Sequence, residues 1–264
     1  MSGQAARIHG VSSEGPSGLP RRTYGQYCAL SYGMDVLGER WTMILVRELL
    51  LGPKRYKDLL DSLPGIGTNL LAARLRELEE VGVVERATLP PPAGSAVYQL
   101  TESGQALEGV AVAIGRWGSR FLGERRATDR LVPSAYFIAI RASFRAELAG
   151  KLSETYEFRI GRRVFEVEVR DGHCRTAEGR PAHADAVFEL SAETLNDLLF
   201  QNLSPQDALA SGAVLAHGAS GALQRFIDVF ALRRRPAASL QSATTRPGAR
   251  SRTGGGHRRL GSAP

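Results

Sequence analysis

The chain has 264 residues, a length that predicts two domains of ordinary size. Its 43% hydrophobic and 23% charged residues are typical of globular proteins and exclude a wholly disordered chain. No apolar stretch approaches the roughly 20 residues of a membrane-spanning helix, and we expect no secretory signal. The two cysteines, Cys28 and Cys174, exclude a disulfide framework, so we expect a reduced, cytoplasmic protein.

The formal net charge of +7 is distributed unevenly along the chain. Residues 1–126 carry a balance of +2 and residues 127–232 one of −3, whereas residues 233–264 carry +8. The basic character therefore comes from the last segment and does not by itself mark either folded part as a nucleic-acid binder. The lead-in, residues 1–22, and this basic tail, residues 233–264, are both predicted to be disordered.

Residues 23–126 form the first predicted domain, which is mostly helical. Apolar spacing and Gly or Pro stops predict helices at 30–37, 41–51, 56–60 and 68–82, the last with Thr68 as its N-cap. Strands at 83–86 and 96–100 flank a Pro-rich loop. Short helices followed by a two-stranded hairpin are the order of elements in a winged helix-turn-helix.

The helix predicted at 68–82 has one apolar face and one polar face. Leu71, Leu75 and Leu78 share the side that faces the core. The opposite side carries small and hydrogen-bonding residues near its start, as a helix in a DNA major groove requires, because Asn pairs with adenine edges and Arg with guanine edges. Taken alone, such residues are more often an ordinary solvated face, but the surrounding order of elements favours DNA. The residues predicted to contact DNA are Thr68, Asn69, Ala73, Arg74, Arg76, Arg86, Lys54 and Arg55.

Five motifs of this region resemble the HxlR-type winged-helix regulators, in the same order and with short gaps. They are DVLGERWTMILVREL at 35–49, GPKRYKDL at 52–59, LPGI at 63–66, RLRELEEVGVVER at 74–86 and VYQLTESG at 97–104. The resemblance covers about 28–122 and implies a dimeric, cytoplasmic bacterial repressor or activator that binds DNA.

Two arginines of this region, Arg86 and Arg74, are candidates for contacts with DNA phosphates. The hairpin tip is Pro-Pro-Pro-Ala-Gly where the family tends to carry basic or polar residues, so Arg86 at its base is the expected phosphate partner. Arg74 lies on the flank of its helix and can equally hold a phosphate or a neighbouring carboxylate.

The stretch that follows the hairpin has large apolar residues at spacings of three and four. They are Leu107, Val110, Ile114, Trp117 and Phe121. This seam is typical of a helix that packs along another helix, and it exceeds what a small winged domain covers by itself. We expect a homodimer with two recognition helices ~34 Å apart on a palindromic or repeated site. The alternative is packing within the chain, against the first helix or the second domain.

Residues 130–232 form the second predicted domain, in which strands and helices alternate. Strands at 156–160 and 165–169 form a hairpin with one apolar and one wet face, and further strands are predicted at 174–178, 186–190 and 214–216. Ser191 and Ser204 begin two helices, and a final amphipathic helix covers 223–230. The predicted fold class is therefore α+β, a winged helix-turn-helix followed by an α+β domain with a five-stranded sheet.

The second domain resembles sterol-carrier-protein-like domains over about 132–232. The resemblance rests on SPQDALASGAVLAHG at 204–218 and on the hairpin at 156–170 with Asp171-Gly172. It implies a curved sheet and helices around an apolar tunnel for lipid-like ligands. The expected lining residues are Phe165, Val167, Phe188, Leu198, Leu199, Phe226 and Phe230. The same residues would serve equally well to fill a closed core, and both interpretations stay open here.

Other chemistry finds little support in the sequence. A Gly-rich phosphate loop, a nucleophile elbow and a convergent metal cluster are not recognisable, so neither an enzyme nor a cofactor is predicted. Cys28 lies where some HxlR relatives carry a redox-sensing cysteine, but with no Lys, Arg or His between 23 and 39 a buried, inert thiol is favoured.

These observations together predict a DNA-binding transcription regulator whose second domain senses a hydrophobic small molecule. The alternative is a lipid-carrier or protein-interaction protein whose winged helix does not bind DNA. Under the first hypothesis the arginines of the tail add salt-sensitive affinity for DNA.

Overall fold

The computed structural model describes residues 23–91, 94–126 and 128–232, and the predictions for the lead-in and the basic tail lie outside them. The chain folds into two α+β units that follow one another in sequence. In this described part, no helix is both long enough and apolar enough to cross a lipid bilayer.

The N-terminal unit has the predicted order of a winged helix-turn-helix. Its elements are α1 (Ala29–Leu37), α2 (Thr42–Leu49), α3 (Tyr56–Ser62), α4 (Thr68–Glu80), β1 (Val84–Thr88), β2 (Ala96–Leu100), α5 (Glu102–Gln105), α6 (Glu108–Gly118) and a 3-10 turn (Ser119–Phe121). The strands β1 and β2 pair antiparallel to form the wing. Lys54, in the turn between α2 and α3, adds a bridge to this hairpin by exchanging two backbone hydrogen bonds with Tyr98.

The core of the N-terminal unit confirms the predicted faces of α4. Leu71, Leu75 and Leu78 are all buried, and they pack in one apolar cluster with residues of α2 and α3. The prediction that Thr68 caps the helix is wrong, because α4 begins at Thr68 and Gly67 occupies the cap position. The Tyr56 hydroxyl donates to the Thr68 carbonyl at 2.7 Å, which holds the start of α3 beside the start of α4.

The C-terminal unit is built on the predicted five-stranded sheet. Its elements are α7 (Pro133–Ser143), α8 (Ala146–Ala149), β3 (Glu154–Ile160), β4 (Arg163–Arg170), β5 (His173–Glu178), β6 (Ala186–Leu190), α9 (Ala192–Leu199), α10 (Pro205–Ala210), β7 (Val214–Gly218) and α11 (Ala222–Phe230). The strand order is β5-β4-β3-β6-β7, with β3 and β6 parallel and the other neighbours antiparallel.

Two features of the C-terminal unit differ from the prediction. The outer face of β3 is not uniformly wet, since Thr155 and Glu157 are buried. Glu157 is covered by two arginines, Arg159 at 2.7 Å and Arg180 at 3.6 Å, whose charges allow a carboxylate to lie under their side chains. The helix α7 was not predicted, and it packs against α2 and α6 of the first unit and β5 of the second.

Candidate nucleic-acid interface

The outer side of α4 presents a polar strip that begins at Thr68 and extends to Arg76. Thr68, Asn69 and Arg76 are exposed and Ala73 is half-buried, while the leucines behind them fix the rotation of the helix. Arg76 makes one long hydrogen bond, from Nε to the Ala72 carbonyl at 3.4 Å. An amide and a guanidinium held in this way on a fixed helix can donate to base edges in a major groove.

Two exposed cations adjoin this strip at the start of α3, Arg55 at the cap position and Lys57 in the first turn. Arg55 and Lys57 are exposed and flank Tyr56, whose hydroxyl reaches the first residue of α4. Arg55 was predicted from the sequence and Lys57 was missed, although a second basic residue in the first turn of a helix next to the recognition helix is a signal that could have found it. We call Arg55, Lys57, Thr68, Asn69 and Arg76 the basic strip.

Lys54 does not belong to the basic strip, and the structure contradicts its predicted contact with DNA. Its side chain is 5% exposed, and its Nζ forms an ion pair with Glu178 and lies 3.6 Å from Glu48 Oε2. An ammonium that neutralises the buried Glu48 and the half-buried Glu178 cannot also reach a phosphate on the surface. The sequence could not predict this burial of Lys54, because its partner Glu178 lies far from it along the chain.

Arg74 and Arg86 are both engaged with carboxylates. Arg74 is largely buried and pairs with Glu39 at 3.2 Å and with Glu77, so of its two alternatives the carboxylate is realised. Arg86, at the base of the wing, is exposed and donates to Glu79 at 2.8 Å. The hydrogen bond to Glu79 raises the pKa of the Arg86 guanidinium, and a phosphate would have to compete with that carboxylate.

The sequence of the first unit matches known proteins. Residues 36–126 match the HxlR-like helix-turn-helix family. The HTH-type transcriptional regulator YodB of Bacillus subtilis is 40% identical over 87 residues, which cover 33% of this chain and 78% of YodB. The chain belongs to the HxlR-like helix-turn-helix family. An uncharacterised HTH-type transcriptional regulator of Synechocystis is 36% identical over 98 residues, covering 37% of this chain and 73% of the relative.

Two further comparisons concern solved structures and the second unit of this HxlR-like chain. The structure of the reduced form of YodB from Bacillus subtilis has 35% identity and a TM-score of 0.33, and the match covers 38% of this chain and all of the YodB chain. Residues 139–231 match the SCP-2 sterol transfer family.

The predicted dimer seam of the HxlR-like domain is largely uncovered in the single chain. Val110 is 39% exposed, Ile114 49%, Trp117 60% and Phe121 37%, while Leu107 is partly buried against the core. The opposite side of α6 packs against α2 and α7, and the Arg116 guanidinium donates to the Ala142 carbonyl at 2.6 and 2.9 Å. Packing within the chain therefore accounts for one side of this helix and leaves the seam free for another partner.

The residues predicted to line a lipid tunnel lie in a filled core. All seven, from Phe165 to Phe230, have at most 1% of their surface exposed. Their rings pack closely, with Phe165 stacked on Phe137 at 4.2 Å and Phe226 at 4.8 Å from both Phe158 and Phe230.

An open cleft of about 400 Å³ borders this core between α10, β7 and the start of α11. Phe188 is the one residue of the predicted seven that lines it, together with Leu209, Ala216 and Leu223. The core itself matches the closed interpretation, and the cleft beside it is open to solvent.

Cys28 differs from its prediction as a buried thiol. It is exposed at the start of α1, and hydrogen bonds from the backbone N–H groups of Ser31 and Leu30 lower the pKa of its thiol. Cys174 is the opposite case, because burial raises the pKa of its thiol to about 12. Among the residues that the structure describes, no three His, Cys, Asp or Glu side chains are grouped as metal ligands would be.

Proposed function

We propose that this protein is a cytoplasmic, dimeric transcription regulator that reads DNA through α4 and whose C-terminal domain responds to an apolar small molecule. The observation that carries the proposal is the basic strip. The polar residues of α4 in the strip are exposed, and the leucine face on the other side of α4 is buried. Arg55 at the cap of α3 and Lys57 in its first turn lie beside them. The family membership of residues 36–126 agrees with it.

The two parts of the basic strip suit two kinds of DNA contact. Asn69 and Arg76 can donate to adenine and guanine edges, which carry the sequence information in a major groove. Arg55 and Lys57 are placed for phosphates, where each neutralised charge releases counterions and adds salt-sensitive affinity. Arg86 is a further phosphate ligand if Glu79 releases it.

A second copy of the chain is the proposed partner of the exposed seam on α6. Single apolar residues on a surface are ordinary, but here three large ones lie along α6 and a fourth, Phe121, ends the 3-10 turn that follows it. The helix α1 adds Leu30, which is 73% exposed, and Tyr32, which is 60% exposed. A two-fold dimer through these helices would present the basic strip twice, as a palindromic site requires.

The cleft between α10, β7 and α11 is the proposed effector site. Its volume of about 400 Å³ is within the usual range for small-molecule sites. Its lining is mixed, since Leu209 and Ala216 lie beside polar residues such as Gln206 and His217. For an effector to regulate DNA binding, its affinity must differ between the two states by about 1–3 kcal/mol.

The test of DNA binding is a selection of bound sequences from random duplexes by the purified full-length chain at a stated, low salt concentration. We expect enrichment of two half-sites whose centres lie roughly 10 base pairs apart. If the chain enriches no sequence and retains no duplex at low salt, it is not a DNA-binding regulator, and an interaction or carrier role takes its place.

A further inference from the structure

A cluster of four buried or half-buried charges lies where the two units meet. Glu48 comes from α2 and Lys54 from the turn after it, whereas Arg163 begins β4 and Glu178 ends β5. Each unit thus supplies one acid and one base. We call these four residues the charge junction.

The geometry of the charge junction makes each unit depend on the other. Glu178 accepts from Arg163 Nε and Nη2, both at 2.7 Å, and from Lys54 Nζ. Glu48 is fully buried, and its Oε2 has Lys54 Nζ at 3.6 Å and Arg163 Nη2 at 3.5 Å. Glu48 Oε1 also pairs with Arg47 of its own unit at 2.6 Å and accepts from the Ser134 hydroxyl of α7 at 2.7 Å. Separation of the units would leave Glu48 with Arg47 and Lys54 but would remove Arg163 and Ser134, and a buried carboxylate that loses partners is strongly destabilising.

The backbone continues this connection as far as the wing. The Glu178 N–H donates to the Leu51 carbonyl at 2.7 Å, which ties the end of β5 to the turn between α2 and α3. Three residues further along that turn, Lys54 exchanges backbone hydrogen bonds of 2.9 and 2.8 Å with Tyr98 of β2. The edge of the C-terminal sheet and the wing are therefore held by the same short turn.

Aromatic rings lie at both ends of the charge junction. Towards the C-terminal core, the Arg163 guanidinium lies over the Phe165 ring, 4.9 Å from its centroid. Towards the wing, the Arg86 guanidinium lies over the Tyr98 ring at 5.4 Å. Packed and hydrogen-bonded groups thus run without a gap from the C-terminal core to a residue at the base of the wing.

We propose that the charge junction is the coupling element by which the C-terminal unit fixes the position of the wing and of α3. Docking of β5 on the turn holds these elements in place, and loss of docking releases them. The effect on DNA affinity rests on the function proposed above, whereas the effect on the wing itself does not. Coupling of this kind shows as a change at both ends of the connection, at the wing and in DNA affinity.

The experiment uses the full-length chain with E178Q and K54M, which remove one charge from each unit, and with E168Q as the matched control. Glu168 lies on the same hairpin and pairs with Arg175 at 3.1 Å, but it is outside the charge junction. Amide hydrogen exchange is followed at residue 178, which reports the docking of β5 on the turn, and at Lys54 and Tyr98. DNA affinity is followed by fluorescence anisotropy on the selected site.

We expect E178Q to speed exchange at the Lys54 and Tyr98 amides and to weaken DNA binding by about fivefold or more, in the range of measured couplings between sites. K54M should have the same two effects, on amide exchange and on DNA affinity. The double variant E178Q/K54M should weaken DNA binding no more than either single substitution, because both substitutions break the same ion pair. E168Q should match the unchanged chain. If E178Q does not fold, the amide exchange and DNA affinity of K54M alone test the proposal.

The outcomes separate the two proposals. Faster exchange at Glu178 with unchanged exchange at Tyr98 overturns the coupling, and so does faster exchange at Tyr98 with unchanged DNA affinity in a chain that binds DNA. If the unchanged chain binds no duplex, the proposed function fails, and the exchange data by themselves support or overturn the link between the sheet edge and the wing.

Discussion

Arg76 is the residue on which sequence-specific recognition is expected to depend most. Its side chain is exposed on the outer side of α4 and is free of ion pairs among the described residues. We expect R76A to lose about 1–3 kcal/mol at the selected site, because a guanidinium that pairs with a base edge contributes this much. Anisotropy titrations measure it, with R175A, an exposed arginine of the C-terminal hairpin, as the control. Equal affinities for R76A and the unchanged chain would contradict the assignment.

Cys28 and Cys174 should differ strongly in reactivity towards alkylating agents. The thiolate is the reacting form, and the pKa of Cys28 is lowered whereas that of Cys174 is raised to about 12. At neutral pH iodoacetamide should therefore modify Cys28 long before Cys174. Mass spectrometry of timed digests measures this, with C28S as the control. Modification of Cys174 first would show that burial does not protect it.

Glu178 should make the stability of the protein depend on pH in the acid range. Burial alone would raise the pKa of this carboxyl, but the hydrogen bond from Arg163 and the charge of Lys54 outweigh it and hold the pKa below its ordinary value of 4.5. A carboxyl with a lower pKa in the folded state stabilises the fold above that ordinary value, and the contribution disappears as pH falls through the folded-state pKa.

The measurement is urea unfolding of the unchanged chain and of E178Q, from neutral pH to well below 4.5. The difference in free energy of unfolding between the two should be constant near neutrality and should narrow in acid. A difference that is the same at every pH would show that the ion pair does not stabilise the fold.

Neighbouring basic residues show where residue-level prediction from sequence ends. Composition and order place Arg55 and Lys54 together at the start of a helix, yet one is exposed and the other buried. The deciding partner, Glu178, comes from the other unit. Arg76 was predicted from helical periodicity because all the information it needs lies within one helix.

At the scale of elements, α6 provides the sharpest test of the proposed dimer. Ile114 lies in the middle of the exposed seam, and a carboxylate there would be buried without a partner in a dimer. We expect I114D to be monomeric where the unchanged chain is dimeric, and to bind the palindromic site more weakly. Analytical ultracentrifugation measures the change.

The control for that experiment is L148D on α8. Leu148 is an apolar helical residue of similar exposure, 45% against 49%, but it belongs to the C-terminal unit. It should leave the dimer intact. If I114D is also dimeric, the seam is not the interface.

Elements were predicted well where one face differs from the other. The helix α4 alternates buried leucines with polar residues and was found, whereas α7 is apolar on most sides and was missed. The reason for the second case is that α7 lies between the two units, so it has no wet side to create a period. A helical period of apolar residues predicts a helix that is buried on one side only, and it is absent from a helix that packs against neighbours on two sides.

At the scale of the whole molecule, the basic tail should control how DNA affinity responds to salt. Residues 233–264 hold eight arginines and no acidic residue. A chain ending at 232 should bind the selected site with a shallower dependence of log K on log salt, because fewer counterions are released. Titrations at several salt concentrations give the two slopes. Identical slopes would show that the tail stays away from DNA.

One apolar cluster extends through both units, from Leu45 to Phe230. The predicted domains therefore describe the order of the chain better than its packing. Sequence motifs could reveal the two families because each motif is local, but the contact between them depends on side chains from both units and has no sequence signature.

The burial of Glu48 limits how the winged unit and the C-terminal unit can be exchanged between proteins. A winged fragment cut from this chain would keep Arg47 and Lys54 beside the buried Glu48 carboxylate, but it would lose Arg163 and the Ser134 hydroxyl, and its Leu51 carbonyl would lose the Glu178 N–H. Chimeras should therefore transplant Glu48, Lys54, Arg163 and Glu178 as a set, or replace Glu48 with an uncharged residue in the isolated fragment.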